Sequence, residues 1–176
     1  MGFSVVGPGR FIGSGHPDPS QSSPPNLGLI ESRDAGKSFR SVSLLGEADF
    51  HTLRSAGSQV YGFDGASGKL MVSADGGRRW VARTPPAGVF DLAISPDDPK
   101  RVVVSTEKGL FASTDAGKRW RPERSDTAGL LAWTAASRLV LVDGEGQVSS
   151  SSNAAKSFAP VGSMDGGAGW VVRATP

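Results

Sequence analysis

The chain of 176 residues contains no cysteine. Disulfide bridges, zinc–thiolate sites and thiol nucleophiles are therefore excluded, because each of them needs a cysteine sulfur. No apolar run approaches the roughly 20 residues that a transmembrane helix requires, so no membrane span is expected. The first ten residues, MGFSVVGPGR, show no basic stretch followed by a long apolar core, so they are not typical of a signal peptide.

Neither positive nor negative charge is in large excess. Nineteen lysines and arginines and 17 aspartates and glutamates are interspersed, for a net charge of +2. A nucleic-acid surface needs basic residues clustered on one face, so nucleic acid is not an expected partner. Runs with helical periodicity are absent, whereas 24 glycines and 12 prolines indicate many turns between short strands.

One eight-residue pattern, which we name the box, recurs along the chain. It reads S-x-D-x-G-x-x-W at residues 73–80 and 113–120, ends in Phe at 32–39, and is degraded at 151–158. The first serines of successive boxes are 41, 40 and 38 residues apart. The predicted structural positions are Ser32, Asp34, Gly36, Phe39, Ser73, Asp75, Gly77, Trp80, Ser113, Asp115, Gly117, Trp120, Asn153 and Phe158. A fixed period of this length indicates a repeat architecture.

The composition of the box predicts a hairpin turn between two strands. Side chains of Ser, Asp and Asn bond the nearby backbone and close a turn locally. Glycine supplies the positive φ that a tight turn needs. In the last box Ala155 replaces that glycine, and an alanine at positive φ costs roughly 1–2 kcal/mol. We therefore expect this hairpin to distort or to use another turn.

Four short strands with a box between the third and the fourth make one repeat of about 40 residues, which is typical of a β-propeller blade. The predicted fold is all-β, with about four four-stranded antiparallel blades belonging to a propeller of six or seven. The whole of residues 1–176 is interpreted as one propeller domain or a fragment of one. Its predicted blades cover residues 3–44, 50–83, 89–122 and 129–161, and a fifth begins at 167–172.

The box at this period resembles the Asp-box, or BNR repeat, of sialidases, sortilin-type receptors and photosystem assembly factors. A second resemblance is carried by G-S-G-H-P, L-L-G-E-A-D-F-H and V-Y-G-F-D. These segments are similar to a bacterial secreted propeller family labelled as glycosyl hydrolases. The resemblance implies a secreted or cell-envelope protein of which this chain is a part without its export signal. It implies no catalytic residues.

The candidate site lies on the blade face opposite the boxes. In an up-and-down blade, the loops between second and third strands share one face with the connectors between blades. Both histidines and the one tyrosine of the chain fall in such segments of the first two blades, among four carboxylates. The predicted binding residues are His16, Asp18, Glu47, Asp49, His51, Tyr61 and Asp64.

Three interpretations of this cluster remain open. His16 and His51, with neighbouring carboxylates, could ligate a divalent metal; otherwise no cofactor is expected. The same polar groups could bind a glycan, peptide or protein, with Tyr61 as an aromatic platform. In the third interpretation the carboxylates only cap loop turns, and His51 is half-buried.

Catalysis is the alternative to binding. Sialidases use a Tyr–Glu nucleophile pair, an Asp acid and three arginines around the substrate carboxylate; Tyr61 and Glu47 could form the pair, with Asp18 or Asp49 as the acid. The arginine triad has no counterpart on this face, so an enzyme is not favoured. A binding or scaffold module is the first hypothesis. A glycoside hydrolase using Glu47, Asp49 and Tyr61, and an assembly factor, are the alternatives.

Overall fold

The computed structural model describes residues 1–20 and 24–164, and the chain divides into two compact units. Unit 1, Met1–Thr84, contains two antiparallel sheets of four strands in sequence order. Blade one comprises β1 (Phe3–Gly7), β2 (Arg10–Gly13), β3 (Leu29–Ser32) and β4 (Arg40–Ser43). Blade two comprises β5 (Phe50–Ala56), β6 (Gln59–Asp64), β7 (Lys69–Ser73) and β8 (Val81–Arg83).

Unit 2, Pro85–Pro176, repeats this architecture in its described part. Blade three comprises β9 (Val89–Ile94), β10 (Val102–Thr106), β11 (Gly109–Ser113) and β12 (Arg121–Arg124). Blade four comprises β13 (Leu130–Ala135), β14 (Arg138–Val142), β15 (Gln147–Ser151) and β16 (Ala159–Ser163). The predicted start of a fifth blade at 167–172 lies outside the described residues.

The predicted fold class is confirmed. Each sheet is an up-and-down blade of the β-propeller type, and residues 1–20 and 24–164 contain no helix. It follows that no described helix has the length and apolarity to span a bilayer.

Each unit has its own apolar core between its two blades. In unit 1 it consists of Ile12, Leu29, Ala48, Phe50, Leu53 and Val60. In unit 2 it consists of Ala93, Val103, Leu110, Ala112, Leu131, Trp133, Leu139, Leu141 and Ala155. Strand alternation directs one side of each blade into this layer, so burial of these side chains holds neighbouring blades together.

The box closes the turn between the third and fourth strands through local hydrogen bonds. Ser73 Oγ accepts the Gly77 N–H at 2.8 Å and donates to Asp75 Oδ1 at 2.9 Å. Asp75 Oδ1 in turn accepts the Arg79 N–H at 2.9 Å. Gly76 and Gly77 have φ values of +73° and +86°. The turn is therefore a self-capped unit with two successive residues in the left-handed region.

The expectation that the fourth box would distort or use another turn is wrong. Ala154 and Ala155 take φ values of +57° and +75°, and Ser151 Oγ accepts the Ala155 N–H at 3.0 Å. Asn153 Oδ1 accepts the Ser157 N–H at 3.0 Å, as an aspartate would. The Ala155 side chain is fully buried in the core of unit 2. The local hydrogen bonds and this apolar burial offset the cost of an alanine at positive φ.

In blades one to three the box lies beside the turn between the first and second strands of its own blade. Ala35 N–H donates to Gly9 O at 2.9 Å in blade one, and Gly76 N–H donates to Ser58 O at 2.9 Å in blade two. Both hairpin turns of a blade therefore occupy one edge. The loops between second and third strands, and the connectors that lead into the next blade, lie at the other edge.

Candidate functional site

The candidate site forms where blade one leads into blade two, within unit 1. Ser14, just after β2, accepts the Phe50 N–H through its hydroxyl at 3.1 Å. The Ser14 N–H donates to Gly2 O at 2.9 Å, and the Gly2 N–H donates to Phe50 O at 2.6 Å. The end of β2 and the start of β5 are thus tied together, and this brings His16 close to the Asp49–His51 segment.

Asp64 is a structural residue of this edge. Its side chain is buried, and Oδ1 accepts the N–H groups of Asp49 at 2.9 Å and Ala66 at 3.3 Å. Oδ2 accepts the Ser67 N–H at 3.3 Å and the Ser67 hydroxyl. A second link, from Gly65 N–H to Asp49 O at 2.9 Å, completes the pairing. Asp64 was predicted to bind a ligand; the structure shows it capping backbone groups that fix the position of Asp49.

Asp49 brings the two histidines together. Its Oδ2 lies 2.9 Å from His51 Nε2 and 3.5 Å from His16 Nε2. The Asp49 side chain is 13% exposed, whereas His16 and His51 are 57% and 58% exposed. Asp49 Oδ1 is buried and meets no hydrogen-bond donor in residues 1–20 and 24–164. We name His16, Asp49 and His51 the His–Asp surface: a recessed carboxylate under two solvent-facing imidazoles.

The hydrogen bond to Pro25 defines which nitrogen of His16 carries a proton. His16 Nδ1 lies 2.8 Å from Pro25 O, and a carbonyl oxygen can only accept, so Nδ1 is the donor. The other ring nitrogen, Nε2, faces Asp49 Oδ2 at 3.5 Å. The His16 ring therefore lies between the insert of blade one and the connector into blade two.

Gly65 makes room for the ring of His51. A Cβ at residue 65 would lie 2.6 Å from both Cε1 and Nε2 of His51, which is closer than non-bonded atoms allow. Sequence reasoning identified neither Gly65 nor Pro25 as part of the site. Both residues lie in loops between a second and a third strand, the class of loop that the predicted topology places at this edge.

Asp18 and Glu47 are not joined to the His–Asp surface by any hydrogen bond or ion pair of the described residues. Asp18 is exposed and accepts the N–H and the hydroxyl of Ser20 at 2.8 and 2.6 Å. The Ser20 hydroxyl holds the pKa of Asp18 below its usual value. Glu47 is exposed, and its N–H donates to Leu44 O at 2.9 Å. Asp18 therefore caps a local turn.

The expectation that Tyr61 offers an aromatic platform at this edge is wrong. Tyr61 lies within β6, paired with Arg54 on one side and Val72 on the other, and its side chain is 0% exposed. A ring buried in the sheet cannot serve as a surface platform for a ligand. The half-buried position considered for His51 is also wrong, because its side chain is 58% exposed.

Metal binding was the first of the three interpretations of this cluster. In the described parts of the chain, no group of three or more His, Asp or Glu side chains is arranged to hold a metal ion. The two imidazoles instead share one carboxylate oxygen, with which they interact directly.

These features define an all-β chain of four-stranded propeller blades with a polar, solvent-facing surface at one edge of unit 1. No protein-family model and no curated protein matches the chain. Among solved structures it is similar to YCF48 bound to D1 peptide, with a TM-score of 0.62 and 16% identity over 92% of this chain. YCF48 from Cyanidioschyzon merolae matches with a TM-score of 0.56 and 11% identity over 94% of this chain.

An ancestral GH74 enzyme matches with a TM-score of 0.53 and 16% identity, over 77% of this chain and 23% of its own. The chain spans 54% and 56% of the two YCF48 chains, about half of their length. At these identities the likenesses establish the propeller fold and nothing finer.

Proposed function

We propose that this chain is a binding module, and that a peptide segment of a protein partner docks on the His–Asp surface. The observation that carries the proposal is the exposure of two imidazoles above one recessed carboxylate. His51 uses Nε2 towards Asp49, which leaves Nδ1 towards a ligand. Because hydrogen bonds between connector and loop hold Asp49 in place, little ordering is needed when a partner binds.

The geometry favours binding over glycoside hydrolysis. A glycosidase needs two carboxyl groups flanking the scissile bond, one of them as acid. Three of the four predicted carboxylates are already engaged: Asp64 by backbone N–H groups, Asp18 by Ser20, and Asp49 by the histidines. Of the four predicted carboxylates only Glu47 is not engaged in this way, and a glycosidase would need a second one beside it. The D1 peptide bound to one YCF48 structure supports a peptide as the class of ligand.

Selection from a phage-displayed library of random linear peptides tests this proposal. Binding of each selected peptide is then measured by fluorescence anisotropy with the wild type and with the double variant H16A/H51A. The control is K37A, at an exposed position of the first box on the opposite edge. We expect the double variant to weaken binding at least tenfold, about 1.4 kcal/mol, and the control to leave it unchanged.

Two results would count against the proposal: no peptide enriched over a blank surface, or equal affinities for the wild type and H16A/H51A. A panel of glycoside substrates serves as the competing test. Turnover that disappears in both E47Q and D49N would replace binding by hydrolysis as the function of this edge.

A further inference from the structure

The His–Asp surface lies among loops that carry charge of one sign. The described segments at this edge of unit 1 are residues 14–20, 24–28, 44–49 and 65–68. They contain three carboxylates, Asp18, Glu47 and Asp49, and neither lysine nor arginine. Even if both imidazoles carried a proton, the carboxylates would outnumber the cations. These loops therefore give the edge a net negative charge.

The opposite edge of unit 1 has charge of the other sign. Its two box turns, at residues 32–39 and 73–80, contain Asp34 and Asp75, each of which accepts hydrogen bonds within its own turn. The same turns contain four basic residues, Arg33, Lys37, Arg78 and Arg79. Because charge complementarity guides a partner to one surface rather than another, the two edges of this unit favour partners of opposite charge.

The side chains at the His–Asp surface keep free acceptor capacity. Asp49 contacts both imidazoles through Oδ2, and its Oδ1 meets no donor in residues 1–20 and 24–164. The exposed Glu47 side chain makes no hydrogen bond or ion pair with the described residues. In its neutral form the His51 ring, which has Nε2 at 2.9 Å from Asp49 Oδ2, presents a further acceptor at Nδ1. This surface therefore suits a ligand that brings donors.

An apolar patch adjoins these acceptors. Leu45 is 47% exposed, and Pro24 and Pro25 are exposed as well. Gly46, next to Leu45, lies close to Pro24, since a Cβ built on Gly46 would be 3.2 Å from Pro24 Cβ. Pro25 O accepts a hydrogen bond from His16 Nδ1 at 2.8 Å. The patch is therefore continuous with the His–Asp surface.

The backbone of Leu44 fixes the conformation of the connector that carries these groups. Leu44 has a φ of +57°, in the left-handed region that a leucine enters only at a cost. Its carbonyl oxygen accepts the N–H groups of Glu47 and Ala48 at 2.9 and 3.2 Å. The exposed side chains of Leu45 and Glu47 are thus presented by a closed turn, so little ordering of the connector is needed when a ligand binds.

We propose that the segment that docks on the His–Asp surface is a basic peptide. Its lysine or arginine binds at Glu47, Asp49 and His51, and an apolar residue beside it packs on Leu45. The inference rests on the proposed function and names the class of peptide. An ammonium or guanidinium group brings only donors, and its hydrogen bonds to a carboxylate are of the stronger, charge-assisted kind. An acidic peptide would instead add negative charge to an edge that already has an excess of it.

The peptides selected from the random library test the charge of the ligand. We expect lysine and arginine to be enriched over the input library, with an apolar residue next to them. In synthetic copies of the selected peptides, glutamate in place of the basic residue should weaken binding at least about tenfold by fluorescence anisotropy. Peptides that depend on His16 and His51 but are neutral or acidic would overturn the basic ligand and leave the binding module in place. A library without any enriched peptide would overturn both.

Charge exchange between protein and peptide tests the place of contact. E47K should weaken the selected peptides at least about tenfold, and the glutamate copies should bind E47K more tightly than the wild type. E145K is the matched control, because it makes the same change of charge at an exposed glutamate in the loop between β14 and β15. Equal weakening by E47K and E145K, or glutamate copies that do not gain affinity for E47K, would overturn the proposal.

A second matched pair tests the apolar contact. L45A should weaken the selected peptides by about threefold or more, because it removes apolar surface that the ligand covers. V81A changes an equally exposed side chain on β8, 52% exposed against 47% for Leu45, and should leave their affinity unchanged. Circular dichroism checks that all variants keep their strands. Equal affinities for L45A and the wild type would overturn the apolar part of the proposal.

Discussion

At the scale of single residues, Trp80 and Trp120 occupy the same position of the box but differ in the partner of the indole N–H. Trp80 Nε1 donates to Ser43 Oγ and Gly77 O, both at 2.9 Å, and its ring lies 5.0 Å from that of Phe50. Trp120 Nε1 is buried and has no acceptor among the residues that the structure describes. The same residue type therefore contributes differently in the two units.

This contrast predicts unequal costs for the change to phenylalanine. W80F loses a hydrogen bond that links blades one and two. W120F instead removes a buried N–H donor that has no acceptor among the described residues. A net hydrogen bond contributes about 1 kcal/mol and an unpaired buried group costs about 1–3 kcal/mol. We therefore expect W80F to lower the free energy of unfolding by at least about 1 kcal/mol more than W120F does. Urea unfolding measures both. Equal costs, or the reverse order, would contradict the assignment of partners.

Gly65 is the second position where one residue controls the site. In G65A the new methyl group would lie 2.6 Å from the His51 ring. It should therefore displace that ring from Asp49. We expect the ¹⁵N resonances of His51 to shift, while the free energy of unfolding changes by less than about 0.5 kcal/mol, because the ring is exposed and moves into solvent. G144A is the control, since nothing lies within 4 Å of a Cβ built there. Unshifted His51 resonances in G65A would mean that the ring does not rest against Gly65.

At the scale of elements, the box turns make the free energy of unfolding depend on pH in the acid range. The Ser38 hydroxyl lowers the pKa of Asp34 to about 2 from 3.8. The Arg79 and Arg119 side chains lower the pKa of Asp75 and Asp115 further. A depressed pKa in the folded state means that the stabilisation is present above about pH 4 and is lost as pH falls towards about 2.

The fourth box supplies the design for a variant. Asn153 keeps the capping hydrogen bonds of an aspartate but does not titrate. D75N/D115N should therefore fold with its box turns intact and lose less stability than the wild type between about pH 5 and pH 3. Urea midpoints of both proteins at the two pH values measure the difference. An identical acid loss in the two proteins would place the titrating groups outside these boxes.

At this scale, features held by interactions between residues close in sequence could be predicted, and features that depend on distant residues could not. The box closes through hydrogen bonds from Ser73 and Asp75 to residues at most four positions away, so its turn is readable from a short stretch. The fourth turn was mispredicted because a contribution from distant residues helps to decide it. Ala155 is buried among core residues supplied by other strands, and no local pattern reports that burial.

The candidate site was only partly predictable for the same reason. The blade topology placed His16, Asp49 and His51 at one edge, and the structure brings them together on one carboxylate. Tyr61 was expected to face a ligand, whereas pairing with β5 and β7 and packing within the sheet bury its ring. The supporting roles of Pro25 and Gly65 depend on contacts 9 and 14 residues distant in sequence, to His16 and His51.

At the scale of the whole molecule, one core lies between blades one and two and another lies between blades three and four. Every residue of the unit 1 core belongs to Met1–Thr84, and every residue of the unit 2 core to Pro85–Pro176. In repeat proteins stability is approximately a sum of repeat terms and nearest-neighbour interface terms. A defect in one core is therefore expected to act first on its own unit.

Hydrogen exchange of the variants L53A and L139A tests this division. Leu53 and Leu139 are both fully buried, one in each core, so each change should cost about 2–5 kcal/mol where it acts. In L53A we expect the amides of β6 and β7 to lose protection while those of β10 and β11 keep theirs, and the reverse in L139A, because locally cooperative regions open separately. Equal loss over all four strands in either variant would show that the chain unfolds as one cooperative unit. In that case the energetic coupling between blades would extend over the full chain, and the stability of the His–Asp surface would depend on the core of unit 2 as much as on that of unit 1.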